Sequence, residues 1–551
     1  MRKFLPVDIE TSGLSFNRDY ILGIGAGEVY DTKSKAIPPL PASCHNGRFE
    51  YKFMKRAGIP LYWEFDTLLA ASILIERPAD LDLYSVAEYY LGMESWKDET
   101  DKLFKKKNWM ELFNADPKLQ EAMARRNIYD LKATDALTKV LQQRLDFEGM
   151  TEFFFEKLMP AARMLAETEY QGMRIDIRAT QQKLADINLN LVELKCKLDA
   201  WAAIEINWNS PIQLKKFLKA RGYDLWLYDF KKRMMTESTS SESLERLLPN
   251  ENIKLLLDYR GAIKLRGFLE GWLTDHYEGR LFPSYNIANT RTGRLSCSTP
   301  NLQQVPRDKT IRSLFIPTEG KVFVIADYAQ IEPRIAAHYT GDEALLEVFN
   351  GNLDFYGSIA VNVLGITCHP NEVKTLYPQS RKVAKEIGLS ILYGIGAAKL
   401  ASLIKRKAGI DIAKEEAATI IKDYFRAYPK LLNFRKYVEN KVLKGEILRT
   451  HYGRQFKIDP EKVFSTGVNS IVQSTASDAC LFSQLEVDKQ LKEAGISAPL
   501  VAIVHDEIIR ECRAEDAQAV GNIMERVMCD QGFNSKIKLD WAIGNNWGDK
   551  A

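Results

Sequence analysis

Two short apolar runs carry acidic residues at positions where a folded chain keeps them only with compensation. Residues 322–326 are typical of a buried strand and lead directly into Asp327, and residues 501–510 hold Asp506 and Glu507 between two apolar halves. A carboxylate buried without a partner costs free energy, and a divalent cation is one remedy. Two Mg²⁺ shared by Asp327 and Asp506 would suit in-line phosphoryl transfer. The simpler alternative for Asp327 is a turn at the end of a strand.

A third stretch repeats chemically useful side chains every four residues. Arg381, Lys385, Leu389 and Tyr393 would lie on one face of a helix. Two cations one turn apart suit a polyphosphate, and a planar ring further along suits a sugar or a base. The stretch therefore predicts a site for a nucleotide.

In chain order, the segments DYAQIEPR, RKVAKEIGLSILYG and VHDE resemble the three polymerase motifs of family A DNA polymerases, the bacterial DNA polymerase I group. The resemblance covers nearly the whole chain of 551 residues, which is too long for one core. It implies an α/β (α+β) protein with an RNase H-like 3′–5′ exonuclease domain before a right-hand polymerase domain. The expected boundaries are 1–148 for the exonuclease and 149–551 for the polymerase, with the thumb near 170–280, the palm near 281–350 and 430–551, and the fingers near 351–429.

The resemblance also implies roles for single residues. Asp327 and Asp506 would hold two Mg²⁺ with the carbonyl of Tyr328, Glu507 would support them, and Lys385 would also protonate the leaving pyrophosphate. Glu332 and Tyr393 would exclude a ribose 2′-hydroxyl. The residues implied for dNTP binding are Arg381, Lys385, Leu389, Tyr393, Gln330, Glu332 and Tyr356, and those implied for DNA binding are Arg294, Asn301, Gln473 and His505.

Two residues of the nucleotide helix depart from the family pattern. Leu389 stands where relatives have Phe or Tyr, so slower or differently selective incorporation is expected, especially against dideoxynucleotides. Gly388 stands where relatives often have Asn, and it is expected to loosen the helix because glycine costs roughly 1 kcal/mol there.

The N-terminal segment resembles the proofreading exonuclease of the same family. Asp8 and Glu10 share one face of a short strand, and Glu50 and Asp130 complete the implied four-acid site for one or two Mg²⁺, with Asp8, Glu10 and Asp130 as the ligands. Glu50 replaces an Asp, and Arg126 stands where the family has a Tyr. We therefore expect a folded domain with weakened or altered activity, and the alternative is a domain that serves only as a scaffold.

The composition limits the kinds of binding site and the cellular location that are expected for this chain. Lys and Arg (76) barely outnumber Asp and Glu (73), so a DNA-binding surface must come from local clustering. Seven cysteines without a CxxC pair indicate neither a zinc site nor a disulfide framework. No apolar run has membrane-spanning length, and Asp8 follows the first residue so closely that no leader peptide is expected. These features predict a cytoplasmic protein, in a bacterial host if a phage encodes it.

The sequence thus predicts template-directed DNA synthesis on primer-template DNA with dNTPs, by a phage-like monomer that lacks a 5′-nuclease domain and has a processivity or replisome factor as a candidate partner. Three alternatives stay open. A single-subunit RNA polymerase is disfavoured by Glu332 with Tyr393, and a nuclease acting alone is disfavoured because its motifs are the altered ones. A non-catalytic DNA-binding scaffold would be expected to lose Asp327 or Asp506.

Overall fold

The computed structural model describes residues 1–32, 37–96, 102, 104, 106–229, 234–290 and 292–550. These residues form an N-terminal unit around a mixed sheet, a helical segment, and a second unit around an antiparallel sheet. No helix in these ranges is both long and apolar enough to cross a membrane.

A five-stranded sheet with the order β3-β2-β1-β4-β5 forms the centre of the N-terminal unit. Its strands are β1 (Leu5–Thr11), β2 (Ile21–Ala26), β3 (Val29–Asp31), β4 (Ala42–Cys44) and β5 (Trp63–Asp66). Its helices are α1 (Arg48–Arg56), α2 (Thr67–Ile73), α3 (Leu83–Leu91), α4 (Trp109–Ala115) and α5 (Pro117–Phe147). Val7 and Ile9 of β1 are buried, whereas Asp8 and Glu10 are half-buried on its other face, as the period of a strand predicts.

The helical segment follows a π-helical turn at Phe153–Leu158. Its elements are α6 (Met159–Gln171), β6 (Met173–Arg174), α7 (Ile177–Ala202), α8 (Pro211–Ala220), β7 (Trp226–Asp229), β8 (Met234–Glu237), α9 (Ser241–Glu245) and α10 (Glu251–Asp275). The long helices α7 and α10 pack against each other. This segment corresponds to the part of the chain where a thumb is expected.

The next segment leads into the second sheet and then into a group of helices. Its first elements are β9 (Arg280–Leu281), β10 (Ser284–Asn286), β11 (Ser296–Ser298), a 3₁₀ turn (Leu302–Gln304), α11 (Lys309–Arg312), β12 (Lys321–Tyr328), α12 (Ile331–Thr340) and α13 (Glu343–Asn350). The helices that follow are α14 (Phe355–Asn362), a 3₁₀ turn (Pro370–Glu372), α15 (Val373–Leu376), α16 (Pro378–Leu392), α17 (Ala397–Ala408) and α18 (Lys414–Ala427).

The helix predicted from the spacing of Arg381, Lys385 and Leu389 is confirmed as α16, but the expected loosening at Gly388 is wrong. The helix continues through Gly388, and a Cβ atom there would lie only 3.0 Å from Cδ1 of Ile359 and 3.1 Å from Cε1 of Phe355. The hydroxyl of Tyr424 donates to the carbonyl of Gly388 at 2.9 Å. Glycine here lets α14 approach α16 closely.

The antiparallel sheet of the second unit has the order β15-β16-β12-β17. The elements that complete this unit are α19 (Pro429–Leu443), β13 (Leu448–Arg449), β14 (Gln455–Phe456), a 3₁₀ turn (Pro460–Lys462), α20 (Val463–Glu493), β15 (Leu500–Val504), β16 (Glu507–Arg513), a 3₁₀ turn (Ala514–Asp516), α21 (Ala517–Cys529), β17 (Leu539–Gly544) and a final 3₁₀ turn (Trp547–Lys550). The predicted strand at 322–326 is confirmed as part of β12, in which residues 323–326 are buried. The two apolar halves of 501–510 are confirmed as β15 and β16, joined by a turn at His505 and Asp506.

A buried carboxylate joins the two units. Glu169 of α6 is fully buried and accepts hydrogen bonds from Arg48 (2.7 Å) and Lys52 (2.5 Å) of α1. It also accepts from the backbone N–H of Tyr285 at 2.6 Å. The hydroxyl oxygen of Tyr285 in turn accepts a hydrogen bond from the backbone N–H of Ile503 in β15 of the second sheet, at 3.1 Å. The position of α1 is therefore tied to the second unit.

Candidate active site

Asp327 and Asp506 are brought together by the strand pairing of the second sheet. Asp327 pairs with Glu507 of β16, and Asp506 lies in the adjoining turn, where its carbonyl accepts from the N–H of Tyr328 at 3.2 Å. Oδ1 of Asp327 is buried and has no hydrogen-bond partner among the described residues. Burial first, and repulsion by Asp506 second, raise the pKa of Asp327 to about 6. An unpartnered oxygen beside a second carboxylate fits a hard cation such as Mg²⁺.

The negative charge of the buried Glu507 carboxylate is compensated by groups within the protein. Both oxygens of its buried carboxylate accept from Nη1 of Arg312, at 3.2 and 3.0 Å, and Oε1 also accepts from the indole N–H of Trp547 at 3.0 Å. The Arg312 guanidinium lies 4.5 Å from the centre of the Trp547 ring. Arg312 therefore supplies a positive charge beside Glu507, in addition to any divalent cation that Asp327 and Asp506 would hold. Neither Arg312 nor Trp547 was predicted.

An open cleft of about 1010 Å³ lies over the carboxylates. It is lined by most of the residues that the sequence predicts for this site: Arg294, Asp327, Tyr328, Gln330, Glu332, Tyr356, Arg381, Lys385, Leu389, Gln473, His505 and Asp506. Other described residues also line the cleft but were missed by the sequence analysis, among them Arg307, Asp354, Lys374, Lys538 and Asp540. Cations therefore cluster at a cleft whose floor is acidic.

Two of the missed cations lie near the acidic floor. Nη2 of Arg307 is 3.8 Å from Oδ1 of Asp506. Lys550, in the last turn, donates to the carbonyl of Asp540, and its charge opposes the rise in the pKa of Asp327. Since Asp540 pairs with Asp327 in the sheet, this contact brings Lys550 beside the carboxylates.

The cationic face of α16 opens into the cleft. Lys385 and Leu389 line it, and Arg381 is held by a two-point contact with Asp354, at 2.5 Å from Nε and 3.2 Å from Nη2. The Arg381 guanidinium lies 5.5 Å from the centre of the Tyr356 ring. Asp354 thus holds the guanidinium in a fixed orientation toward the cleft.

Glu332 is held from two sides. Arg294 donates to its Oε1 at 2.5 Å, and the hydroxyl of Tyr393 donates to its Oε2. Burial first, and the charge of Glu332 second, raise the pKa of Tyr393 above its ordinary value. Gln330, which lies before α12, adopts a left-handed backbone conformation with φ of 56°. The structure therefore joins Glu332 and Tyr393, as the sequence predicts, and adds Arg294 to the same contact.

Of the remaining residues predicted for DNA contact, two line the cleft and one does not. Gln473 on α20 and His505 in the turn both line the cleft. Nε2 of His505 lies 3.2 Å from the carbonyl oxygen of Gln303, to which its N–H tautomer donates. Asn301 is not among the lining residues of the described chain, and its side chain instead accepts from the N–H of Gln303 at 3.0 Å. Asn301 therefore shapes the turn under His505.

A second acidic cluster lies on the N-terminal sheet. Asp8, Glu10 and Asp130 each place a carboxylate oxygen within 4.8 Å of the others. Burial first, and then the charges of Asp130, Glu10 and Glu50, raise the pKa of Asp8. Burial also raises the pKa of Glu50, whose Oε2 has no hydrogen-bond partner in the described ranges. The structure thus brings together all four predicted acids.

Protein donors already occupy part of this cluster. Nδ2 of Asn127 donates to Oδ2 of Asp8 at 2.5 Å, and the Trp96 indole donates to Oδ1 of Asp130 at 2.7 Å. Nε of Arg126 lies 3.7 Å from Oδ2 of Asp130. The three carboxylates fit one cation, but these donors compete for the oxygens that a second cation would need. Asn127 and Trp96 gave no signal in the sequence.

Comparisons with known proteins agree with these motifs. The sequence profile of DNA polymerase family A matches residues 177–549. The DNA polymerase I of Borreliella burgdorferi is 27% identical over 592 residues, which cover 99% of this chain and 62% of that protein. The DNA polymerase I of Aquifex aeolicus is 30% identical over 524 residues, which cover 91% of this chain and 87% of that protein.

A solved structure shows the same fold. It is described as the POL domain of Pol1 from M. smegmatis in complex with DNA primer-template and dNTP. It matches with a TM-score of 0.85 at 22% identity, over 99% of this chain and 96% of that one. The chain spans 62% of the length of the Borreliella relative. The profile match, the Aquifex relative and the sequence motifs agree that this chain belongs to DNA polymerase family A.

Proposed function

We propose that the protein is a DNA-directed DNA polymerase that adds dNTPs to the 3′-hydroxyl of a primer under the direction of a template. The observation that carries the proposal is the cleft in which Asp327 and Asp506 lie beneath the cationic face of α16. Family membership adds support, as does the fold shared with a polymerase domain that was solved with primer-template and dNTP. These partners, primer-template DNA and dNTPs, are proposed for this chain as well.

The carboxylate floor is the proposed reaction centre. Asp327 and Asp506, with the carbonyl of Tyr328, would hold two Mg²⁺, which when bound lower the pKa of the primer hydroxyl and stabilise the developing charge. The buried side chain of Tyr328 lies near Ser483 and leaves only its backbone for this role. Glu507, fixed by Arg312, would support the turn that carries Asp506.

The helix α16 is the proposed triphosphate site. Arg381 and Lys385 would bind the β- and γ-phosphates, since two cations one turn apart match neighbouring anionic groups. Lys385 would also donate a proton to the leaving pyrophosphate. Tyr356, whose ring lies beside the Arg381 guanidinium, would bound this site and donate one hydrogen bond.

Glu332 is the proposed sugar gate. With Tyr393 bonded to one oxygen and Arg294 to the other, its carboxylate is held where a ribose 2′-hydroxyl would be excluded. Leu389 would pack against the sugar without the ring that relatives use. Gln330 would contact the nucleotide from the other side of the cleft.

DNA is proposed to lie along the wall opposite α16. Arg294 and Gln473 would contact the minor groove near the primer terminus, where acceptor groups are nearly independent of sequence. His505 would touch the terminal nucleotide, and Asn301 would act through the turn that it caps. The helices α7 and α10 would form a thumb that grips phosphates without reading sequence.

For residues 1–148 we propose an RNase H-like domain with weakened or altered 3′–5′ exonuclease activity. Its support is the contact of Asn127 with Asp8, and of Trp96 and Arg126 with Asp130, which leaves room for one cation more readily than for two. A hydrolysis rate lost in an Asp8→Ala variant would show that residual activity belongs to this site. Absence of any hydrolysis by the wild type would favour the scaffold alternative.

The experiment is a primer-extension assay with a labelled primer on a longer template, Mg²⁺, and dNTPs present or absent. We expect extension by the wild type and none by Asp506→Ala. The matched control is Glu515→Ala, an exposed acid just beyond β16, which should extend normally. Extension retained by Asp506→Ala, or absent from the wild type, would contradict the proposal. Primer shortening without dNTPs measures the exonuclease in the same gel.

A further inference from the structure

A buried ion pair lies behind the wall of the cleft. Arg454, just before β14, donates to Oδ1 of Asp478 on α20 from Nε at 3.0 Å and from Nη2 at 2.7 Å. The two side chains are 5% and 0% exposed. Such a pair adds little net stability compared with apolar side chains of equal volume, whereas its planar fork fixes geometry. The ion pair therefore contributes more to the geometry of its surroundings than to the stability of the fold.

The Arg454 guanidinium forms a platform for a glycine turn. A Cβ atom on Gly293 would lie 2.4 Å from Cζ of Arg454, so only a glycine can rest on this flat group. Gly293 also has a φ of 69°, which glycine adopts without strain. Its carbonyl accepts from Oγ of Ser477, next to Asp478 on α20, at 3.0 Å. The turn is thus held by the guanidinium and by α20.

The residue after this glycine is Arg294. Its carbonyl accepts from the hydroxyl of Thr290 at 2.8 Å, which closes the turn, and its side chain reaches across to Oε1 of Glu332. The direction of the Arg294 side chain therefore depends on where Gly293 lies. A displacement of the turn by a few tenths of an ångström would lengthen the 2.5 Å contact between Arg294 and Glu332.

We propose that Arg454 and Asp478 are positioning residues for Arg294 and, through it, for the Glu332 carboxylate that selects the nucleotide sugar. This inference rests on the proposed polymerase function. Lysine at 454 would keep the charge but lose both the fork and the flat surface under Gly293. The contact between Glu332 and Tyr393 would remain, with the Arg294 support loosened.

The test is a double-mutant cycle of Arg454→Lys and Arg294→Ala. The quantity measured is the ratio of kcat/KM for a dNTP to that for the matching rNTP in single-nucleotide incorporation. We expect Arg454→Lys to lower this ratio about tenfold, the size of coupling found between residues that share partners. In the Arg294→Ala background the same substitution should lower it no further. Equal losses in both backgrounds would overturn the inference.

A matched control separates positioning from stability. Arg510 on β16 is also fully buried and bonds to Gln484 and Asp488, and none of its hydrogen bonds among the described residues reaches the turn at Gly293. Arg510→Lys should lower the melting temperature as Arg454→Lys does and leave the sugar ratio at the wild-type value. A fall in the ratio with Arg510→Lys equal to that with Arg454→Lys would contradict a specific role.

Ser477→Ala covers the case in which Arg454→Lys does not fold, since it removes only the hydrogen bond to the Gly293 carbonyl. It should lower the sugar ratio about threefold, and an unchanged ratio would overturn the inference. Equilibrium binding of dATP and ATP to the complex with a dideoxy-terminated primer gives the same comparison without chemistry. Failed extension with an intact binding ratio would therefore count against the proposed function alone.

Discussion

Replacing Asp327 with asparagine is expected to stabilise the metal-free protein at neutral pH. The gap between its pKa of about 6 and the ordinary value of 3.8 corresponds to about 3 kcal/mol, at about 1.36 kcal/mol per pH unit. Because the carboxylate is partly exposed, solvent screening reduces this to about 1–2 kcal/mol. The free-energy cost of the ionised Asp327 arises from its burial and from the charge of Asp506, and the charges of Lys550 and Arg307 offset part of it.

The size of this gain in stability depends on pH. A carboxyl group whose pKa is raised by folding contributes stability below its unfolded pKa, and this contribution is lost as the pH rises through the folded value. Asparagine does not titrate, so Asp327→Asn should gain about 1–2 °C in melting temperature at pH 8 with EDTA. The gain should shrink between pH 6 and pH 4. Adding Mg²⁺ should raise the melting temperature of the wild type and not that of the variant.

Thermal unfolding at pH 4.5, 6 and 8, with EDTA or with Mg²⁺, measures these effects. The control is Asp540→Asn, an exposed carboxylate that pairs with Asp327 across the sheet. It should change the melting temperature by less than Asp327→Asn does. A variant that is less stable than the wild type at pH 8 with EDTA, or whose gain is the same at every pH, would refute the electrostatic reasoning.

Three further predictions concern packing and selectivity. Leu389→Phe should speed dNTP incorporation and change the discrimination against dideoxynucleotides in a single-nucleotide assay, and unchanged values would contradict the role given to this side chain. Glu169→Gln should cost about 3–5 kcal/mol in denaturant unfolding because it leaves two cations of α1 unpaired, whereas Glu167→Gln, at a more exposed pair with Lys55, should cost under about 1 kcal/mol. Gly388→Ala should cost about 1–3 kcal/mol by crowding α14, and a stabilised variant would show that the close approach is not needed.

The sequence predicts those parts of the site that depend on spacing within one element. The face of α16 follows from a four-residue repeat, and the face that carries Asp8 and Glu10 follows from a two-residue repeat. These two patterns are local and need no knowledge of partners. The meeting of Asp327 and Asp506 depends instead on the pairing of β12 with β16, and it was expected from the two ions that they would share and from the family resemblance.

The contacts that the sequence analysis missed join residues far apart in the chain. Arg312 and Glu507 are 195 positions apart, and nothing near either residue indicates the other. Likewise, Trp96 lies outside α5, the helix that carries Asp130, and its indole donates to that carboxylate. Such pairs depend on how complete elements pack, so the sequence shows that an acid needs a partner without showing which group supplies it. Gly388 was misjudged for the same reason, since its neighbours lie on α14.

The central claim is tested most directly by incorporation of one nucleotide at a time opposite each of the four template bases. We expect the wild type to add the complementary dNTP in every case and the matching rNTP far more slowly because of Glu332, and we expect no addition by Asp506→Ala. Addition that ignores the template base, or that persists in Asp506→Ala, would contradict it.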